Sequence, residues 1–267
     1  MLFKRLLYVN FLPNARYLNG TQTKTKSTKD IQEQEKVIQI FDHAASSYDN
    51  LLDVVWLGIH RSWRKKLIDR LAPVENTKLI DVAGGTGAGT FYFLDYIRRN
   101  NVAKNCHATL CDINDTMMGI AKRKAVKYDP KLISFVKGDA EDLPFENASF
   151  NAYMMCFGMK YCQNVDKVFN EAYRVLQPGG KILHLELNQV ENKVVNWLFH
   201  QYGKYMIPMF GRLYSQTPLM IYLMESIQKF PDQENLKTMM EEAGFQQVTY
   251  ENLHSGIATI HMAIKPN

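Results

Sequence analysis

Apolar residues recur at helical spacing from Ile31 toward Asp49 and again over residues 56–71. In the second stretch Ile59, Trp63, Leu67, Ile68 and Leu71 fall on one face, and Pro73 and Asn76 end it. The texture then changes. Short apolar runs at 78–83, 107–112, 133–137, 150–156 and 181–186 read as strands. Helical patterns at 89–99, 115–128 and 165–175 alternate with them, and Gln177-Pro-Gly-Gly180 reads as a turn. Strands alternating with helices predict an α/β fold with a mostly parallel, doubly wound sheet. Right-handed crossovers place the loops after the strands along one edge, where ligands bind. Residues 190–230 break the alternation with Trp197, Leu198, Phe199, Tyr202, Tyr205, Met206, Ile207, Pro208, Met209, Phe210, Leu213 and Tyr214. That run predicts a helical lid insertion. A helix over 232–243, ended by Gly244, and two closing antiparallel strands at 248–252 and 257–264 complete the chain.

Charge divides the 267 residues unevenly. Residues 1–29 carry Lys4, Arg5, Arg16, Lys24, Lys26 and Lys29 and no acid, a charge of +6, which leaves −1 for the rest of a chain whose net charge is +5. The basic pI is a property of the N-terminus, and the folded body gives no reason to expect nucleic acid. The segment 1–30 is basic, Thr/Ser-containing and free of acid before Asp30, as a mitochondrial targeting sequence is; a basic tail is the plainer alternative. Residues 31–267 then form the folded domain, with 31–75 as its N-terminal helices. No run of about 18 apolar residues occurs, so membrane contact is expected to be peripheral. Cys106, Cys111, Cys156 and Cys162 lack CxxC spacing and a histidine cluster, so buried thiols are expected and no metal.

The candidate chemistry starts at Asp81-Val-Ala-Gly-Gly-Thr-Gly87, directly after the first strand. Gly84, Gly85 and Gly87 let backbone approach a ligand and open a helix whose N-terminus favours negative charge. The dinucleotide fingerprint is not met, because Thr90 stands where its last glycine belongs, and no P-loop is present. Asp112 closes the second strand, where a carboxylate can take both hydroxyls of a ribose. Asp139, followed by Ala140, ends the third, where it can accept from an adenine amino group. Three ligand positions at three successive strand ends suit an adenosyl ligand without a pyrophosphate. The alternative is that both aspartates merely cap the helices that follow them.

Further segments make the chain resemble the UbiE-type C-methyltransferases of ubiquinone and menaquinone biosynthesis. They are Phe41-Asp-His-Ala-Ala-Ser-Ser-Tyr-Asp49, Gly58-Ile-His-Arg-Ser-Trp63, Cys111-Asp-Ile-Asn114, Glu141-Asp-Leu-Pro-Phe145, Tyr173-Arg-Val-Leu-Gln-Pro-Gly-Gly180 and Glu225-Ser-Ile-Gln-Lys-Phe-Pro-Asp-Gln233. The resemblance spans about residues 36–265. It implies a class I, Rossmann-like methyltransferase fold with S-adenosylmethionine (SAM) as cofactor. By position it implies cofactor contacts from Thr90, Asp112, Asp139, Ala140 and Cys156. It also implies a polyprenyl quinol substrate and a peripheral place on the matrix side of the mitochondrial inner membrane or in a multiprotein complex there.

Departures from the family pattern gather on the substrate side. Ala88 stands where an Asp usually follows the glycine turn, and Lys160-Tyr161 where Arg-Asn usually follows. Cys156 replaces a Ser, and Ser215-Gln-Thr-Pro-Leu-Met-Ile-Tyr222 replaces a polar run. Lysine keeps the charge of arginine but loses its planar fork. Two readings follow. In one, the chain methylates a ring carbon and Lys160, Tyr161, His60 or Tyr48 serves the chemistry. In the other, it is a catalytically impaired relative acting as an accessory subunit of an inner-membrane complex. His43, His60 and His261 also have a purely structural reading. The aromatic run 197–214 reads as core or lid, or as a channel for a prenyl tail.

Overall fold

A computed structural model describes residues 27–188, 190 and 193–267. The basic segment therefore lies outside the described residues up to Lys26, as do the side chains of Phe199, Ile207 and Pro208 in the aromatic run.

Three helices come first. Helix α1 (Thr28–Ala44) starts at a capping box in which Ser27 accepts from the Asp30 backbone and Asp30 from that of Ser27. Helix α2 (Tyr48–Val55) follows after a short turn, so the helical signal toward Asp49 belongs to two helices rather than one. Helix α3 (Ile59–Leu71) begins three residues later than its periodicity suggests. Leu57 and Gly58 adopt left-handed backbone at φ 48° and 73°, which turns the chain between α2 and α3.

The sheet has seven strands: β1 (Lys78–Val82), β2 (His107–Asp112), β3 (Ile133–Lys137), β4 (Phe150–Cys156), β5 (Leu176–Leu187), β6 (Gln246–Leu253) and β7 (Ala258–Ile264). Their order is β3-β2-β1-β4-β5-β7-β6, with β1–β5 parallel and β7 antiparallel to both its neighbours. The turn expected at 177–180 is absorbed into β5 as a bulge. Its register against β4 jumps from Phe150↔Leu176 to Ala152↔Lys181, with Gly179 at φ 74°.

Alternation along the strands sends side chains into two separate cores. Leu79, Ala152, Met154, Leu183 and Leu185 face α2, α3 and α4 (Ala88–Arg99). Ile80, Val82, Tyr153, Met155 and Ile182 face α6 (Val165–Val175) and α9 (Gln233–Glu242). Helix α5 (Asp115–Ala125) leans on β2 and β3 and stops short of Tyr128, whose ring stacks on Phe91.

The 190–230 segment forms α7 (Lys193–Leu213) and α8 (Thr217–Lys229). Gly203 and Gly211 of α7 let the two helices approach closely. A Cβ on Gly203 would lie 2.5 Å from Met224 Cε, and one on Gly211 would lie 3.1 Å from Thr217 Cα. No described helix is long and apolar enough to cross a membrane.

Candidate active site

The parallel strands β1, β2 and β4 end along one edge, and a cavity with about 1090 Å³ of empty space, part of it open to solvent, lies over them. Its floor is the turn after β1. Gly84 fits only because it has no side chain, since a Cβ there would meet Leu110 Cγ at 2.6 Å. Gly85 takes φ 54° and donates its N–H to Asp112 Oδ2 at 2.7 Å. The other Asp112 oxygen accepts from the Asn114 N–H at 2.8 Å. Asp112 is thus held rigidly at the end of β2, and burial pushes its carboxyl up against those hydrogen bonds. Asn114, not Asp112, caps α5, so the capping alternative does not account for Asp112. Asp139 and Ala140 line the same cavity after β3, and Asp139 Oδ1 accepts from the Glu141 N–H at 3.0 Å. Cys156, at the end of β4, completes that side.

Gly87 and Thr90 stand one layer back and do not line the cavity. Gly87 (φ 85°) caps α4 beneath the Phe91 ring. Thr90 is fully buried and donates its hydroxyl to Asp81 Oδ2 at 2.6 Å. Asp81 itself lines the cavity. Its Oδ1 is buried without a hydrogen-bond partner, and burial pushes its carboxyl up to about 7. An orphaned buried oxygen beside a glycine turn and two strand-end aspartates fits a cofactor carrying an ammonium and a sulfonium, and so fits SAM.

Sequence reasoning missed the roof. Gln34, Val37, Ile38 and Phe41 of α1 lie over the cavity at helical spacing, a stripe that periodicity alone could have shown. Asp49 ties α2 to the glycine turn. It accepts from the Thr86 hydroxyl at 2.7 Å and pairs with Lys124 of α5.

A second cavity, about 390 Å³ and almost wholly apolar, adjoins the first. Leu52 and Trp56 of α2, Trp63 of α3 and Leu219, Met220 and Leu223 of α8 form its walls. Tyr48, Arg64, Phe157 and Tyr161 line both cavities and mark where they meet. The wall taken from the 190–230 segment is thus α8; no described α7 side chain lines either cavity.

The four candidate catalytic residues gather here but differ in what they can do. Lys160 is sealed in. Its Nζ lies 2.5 Å from Glu186 Oε1 and donates to the Phe157 carbonyl at 2.7 Å, with both charged side chains essentially inaccessible. Burial pushes the Tyr48 and Tyr161 hydroxyls up, so both stay protonated and act as donors. His60, pushed down to about 4 by burial, is neutral at physiological pH. Its Nε2 sits 3.3 Å from Asp53 Oδ1, and Nδ1 has no hydrogen-bond partner among the described residues. His261, 0% exposed and bonded to the Gln233 carbonyl, is structural. No group of three or more His, Cys, Asp or Glu side chains among the described residues could hold a metal ion, and all four cysteines are free thiols.

The profile of the ubiE/COQ5 methyltransferase family matches residues 28–265, nearly all of the described chain. The chain belongs to the ubiE/COQ5 methyltransferase family. Within it, the Drosophila melanogaster protein named mitochondrial 2-methoxy-6-polyprenyl-1,4-benzoquinol methylase is 43% identical, over 92% of this chain and 84% of its own. The Homo sapiens protein of the same name is 37% identical over 86% of this chain and 80% of its own. The UbiE ubiquinone/menaquinone biosynthesis C-methyltransferase of Bartonella quintana is 39% identical over 88% and 90%. Among solved structures, the methyltransferase in the Haloferax volcanii Trm112 activator complex superposes with a TM-score of 0.60, at 17% identity over 85% of this chain and 98% of its own. A SAM-dependent methyltransferase of Thermotoga maritima gives 0.59 at 16% identity, over 85% and 98%. Those likenesses show the class I methyltransferase fold. Family membership makes this chain a SAM-dependent methyltransferase.

Proposed function

We propose that this protein methylates a ring carbon of a polyprenyl benzoquinol, the substrate class for which its relatives are named, at the matrix face of the mitochondrial inner membrane. The observation that carries this reading is the meeting of a polar cavity, bearing Asp81, Asp112 and Asp139, with an apolar one at Tyr48, Arg64, Phe157 and Tyr161. A flat ring at that junction has its hydroxyls beside polar groups and its tail among Trp56, Leu219 and Leu223.

When bound, SAM supplies an electrophilic methyl group, and the chain does the rest. Asp112 would hold the ribose hydroxyls, Asp139 would accept from the adenine, and the unpartnered Asp81 oxygen would take the ammonium. The backbone of Gly85 and the side chains of Ala140 and Cys156 shape the wall, while Gly87 and Thr90 hold the turn and Asp81 in place. Tyr48 and Tyr161 donate to ring oxygens. His60, neutral and with Nδ1 unpartnered, is the one of the four candidates with a free acceptor nitrogen; held at about 4 it is a weak base, suited to relaying the hydroxyl proton that the ring must lose rather than to keeping it. The apolar walls exclude water and align the reactants.

Contact with the bilayer is supported by α7. Trp197, Leu198, Tyr205, Met209 and Leu213 are exposed along one ridge of it. Lys204 and Arg212 accompany them, and no Asp or Glu occurs from 193 to 224. An apolar ridge with a purely basic complement suits an anionic lipid surface. The protein, incubated with SAM and a short-chain demethyl benzoquinol, is expected to form the C-methylated product. SAM binding without turnover would overturn this reading in favour of an accessory subunit.

A further inference from the structure

Arg64 is buried at 8% exposure on α3, one turn after His60, and lines both cavities at their junction. Its guanidinium carbon sits 5.1 Å from the centroid of the Phe157 ring. Among the described residues it has neither an ion-pair nor a hydrogen-bond partner. Every other buried cation of the site is satisfied, Lys160 by Glu186 and the Phe157 carbonyl. Phe157 holds its ring under the guanidinium from a left-handed backbone, φ 61°, which an aromatic residue adopts only when its surroundings impose it.

A buried charge without a counter-ion is costly, and the cost is recovered when an anion arrives. The groups around it supply no such anion at bonding distance. Tyr48, Tyr161 and Cys156 stay neutral because burial raises each of them, His60 is neutral, Lys160 is engaged, and Asp81 faces the cofactor side. The planar fork that the family usually supplies directly after Phe-Gly is here a sealed lysine, and Arg64 presents a fork to the same junction from a different element.

Resting on the quinol reading above, we propose that Arg64 is the residue that binds the ring oxyanion of the substrate and fixes which ring carbon faces the methyl group. In the step it assists, the ring O–H bond breaks, the proton passes to His60 Nδ1, and the electron pair stays on an oxygen facing two guanidinium N–H donors. The oxyanion so held is the form whose ring carbon is nucleophilic. Anchoring one oxygen by two parallel hydrogen bonds sets the rotation of the ring in its plane, and with it the site of methylation.

The test uses 4-nitrocatechol, whose ionised form absorbs in the visible, bound to the full chain saturated with S-adenosylhomocysteine. Wild-type protein is expected to lower the pKa of the bound probe by about 1–3 units. Arg64→Gln should abolish that shift, and Arg64→Lys should keep part of it. In turnover, Arg64→Gln should lower kcat/KM about 100-fold or more, with SAM affinity unchanged and thermal melting of the free protein not lowered. If Arg64→Gln does not fold, Arg64→Met, which keeps the buried stem, takes its place. Equal spectral pKa values in the wild type and the charge-less variant would overturn the assignment, as would unchanged turnover. Absence of turnover in the wild type would instead count against the reaction and leave the spectral comparison to decide Arg64.

Discussion

Gln34 of α1 donates its side-chain amide to Asp139 Oδ2 at 2.9 Å, across 105 residues of sequence. The first helix of the domain is thereby drawn over the cofactor cavity, with Val37, Ile38 and Phe41 facing the strand ends. Replacing Gln34 with Ala removes one hydrogen bond to a charged acceptor and should weaken SAM binding by about 1 kcal/mol or somewhat more. The change should lie mainly in the dissociation rate, because a roof governs escape. Stopped-flow displacement of SAM would check this; an unchanged off-rate would show that α1 does not retain the cofactor.

Asp81 gives the binding of SAM a pH dependence of definite sign. Its folded-state carboxyl sits at about 7 against an ordinary 3.8, raised by burial despite the Thr90 hydrogen bond. A cationic ligand prefers the ionised form, so affinity should rise as pH increases through about 7 and level off above it. Asp81→Asn should bind more weakly and show no such trend. Calorimetric titrations across that range distinguish the two.

The stability of the free protein should answer to two opposing groups. Asp81 holds a proton that the unfolded chain has released, so its contribution falls as pH rises from 3.8 toward about 7. His60 and His261, both lowered from 6.5 to about 4 by burial, act the other way. Below 6.5 the unfolded chain takes up protons that the folded histidines refuse, so stability is lost as pH falls toward 4. In Asp81→Asn the first trend is left to Asp112, whose carboxyl burial also raises, and melting temperature should climb more steeply from pH 4 to 6.5 than in the wild type.

Lys160 and Glu186 form a fully buried pair, and removing one member strands the other. Lys160→Met should destabilise the fold by about 3–5 kcal/mol, while Lys160→Met with Glu186→Leu should recover much of that loss. Chemical denaturation reads both. If the double variant also retains turnover, Lys160 is a structural element of the site; if turnover alone is lost, the lysine acts in the chemistry.

The exposed ridge of α7 should decide membrane contact. Trp197→Ser with Leu198→Ser should abolish co-flotation with vesicles rich in anionic lipid and leave SAM binding intact. Raising the salt should weaken flotation of the wild type, since lysine and arginine contribute through a screened attraction. Flotation unaffected by the double substitution would remove α7 from the contact.

Much of this arrangement was legible in the chain itself. The alternation of strands and helices gave the parallel sheet, because period-2 and period-3.6 patterns are local properties. That Asp112 and Asp139 line one cavity is legible too, because each follows a strand end on the same edge as the glycine turn. The break at Leu57–Gly58 was not legible, since nothing about a leucine announces a left-handed backbone. Nor was the sealing of Lys160, because its partner Glu186 lies 26 residues away on another strand. Arg64 escaped notice for the same reason in reverse. An arginine on a helix reads as solvated, and only the packing of α3 against α4 and β5 shows it to be buried and unpartnered.

Of the seven strands described, the one latest in the chain, β7, is not at an edge of the sheet but between β5 and β6. Until residues 258–264 are available, β5 is an open edge and β6 has no neighbour to pair with. Leu183 and Leu185, both in the core of the finished protein, then lie on a strand paired on its β4 side alone. A chain that emerges N-terminus first can assemble the glycine turn, Asp112 and Asp139 early. It cannot close its sheet until residues 258–264 have emerged, and throughout that interval it presents the kind of edge that chaperones bind and that other chains can join.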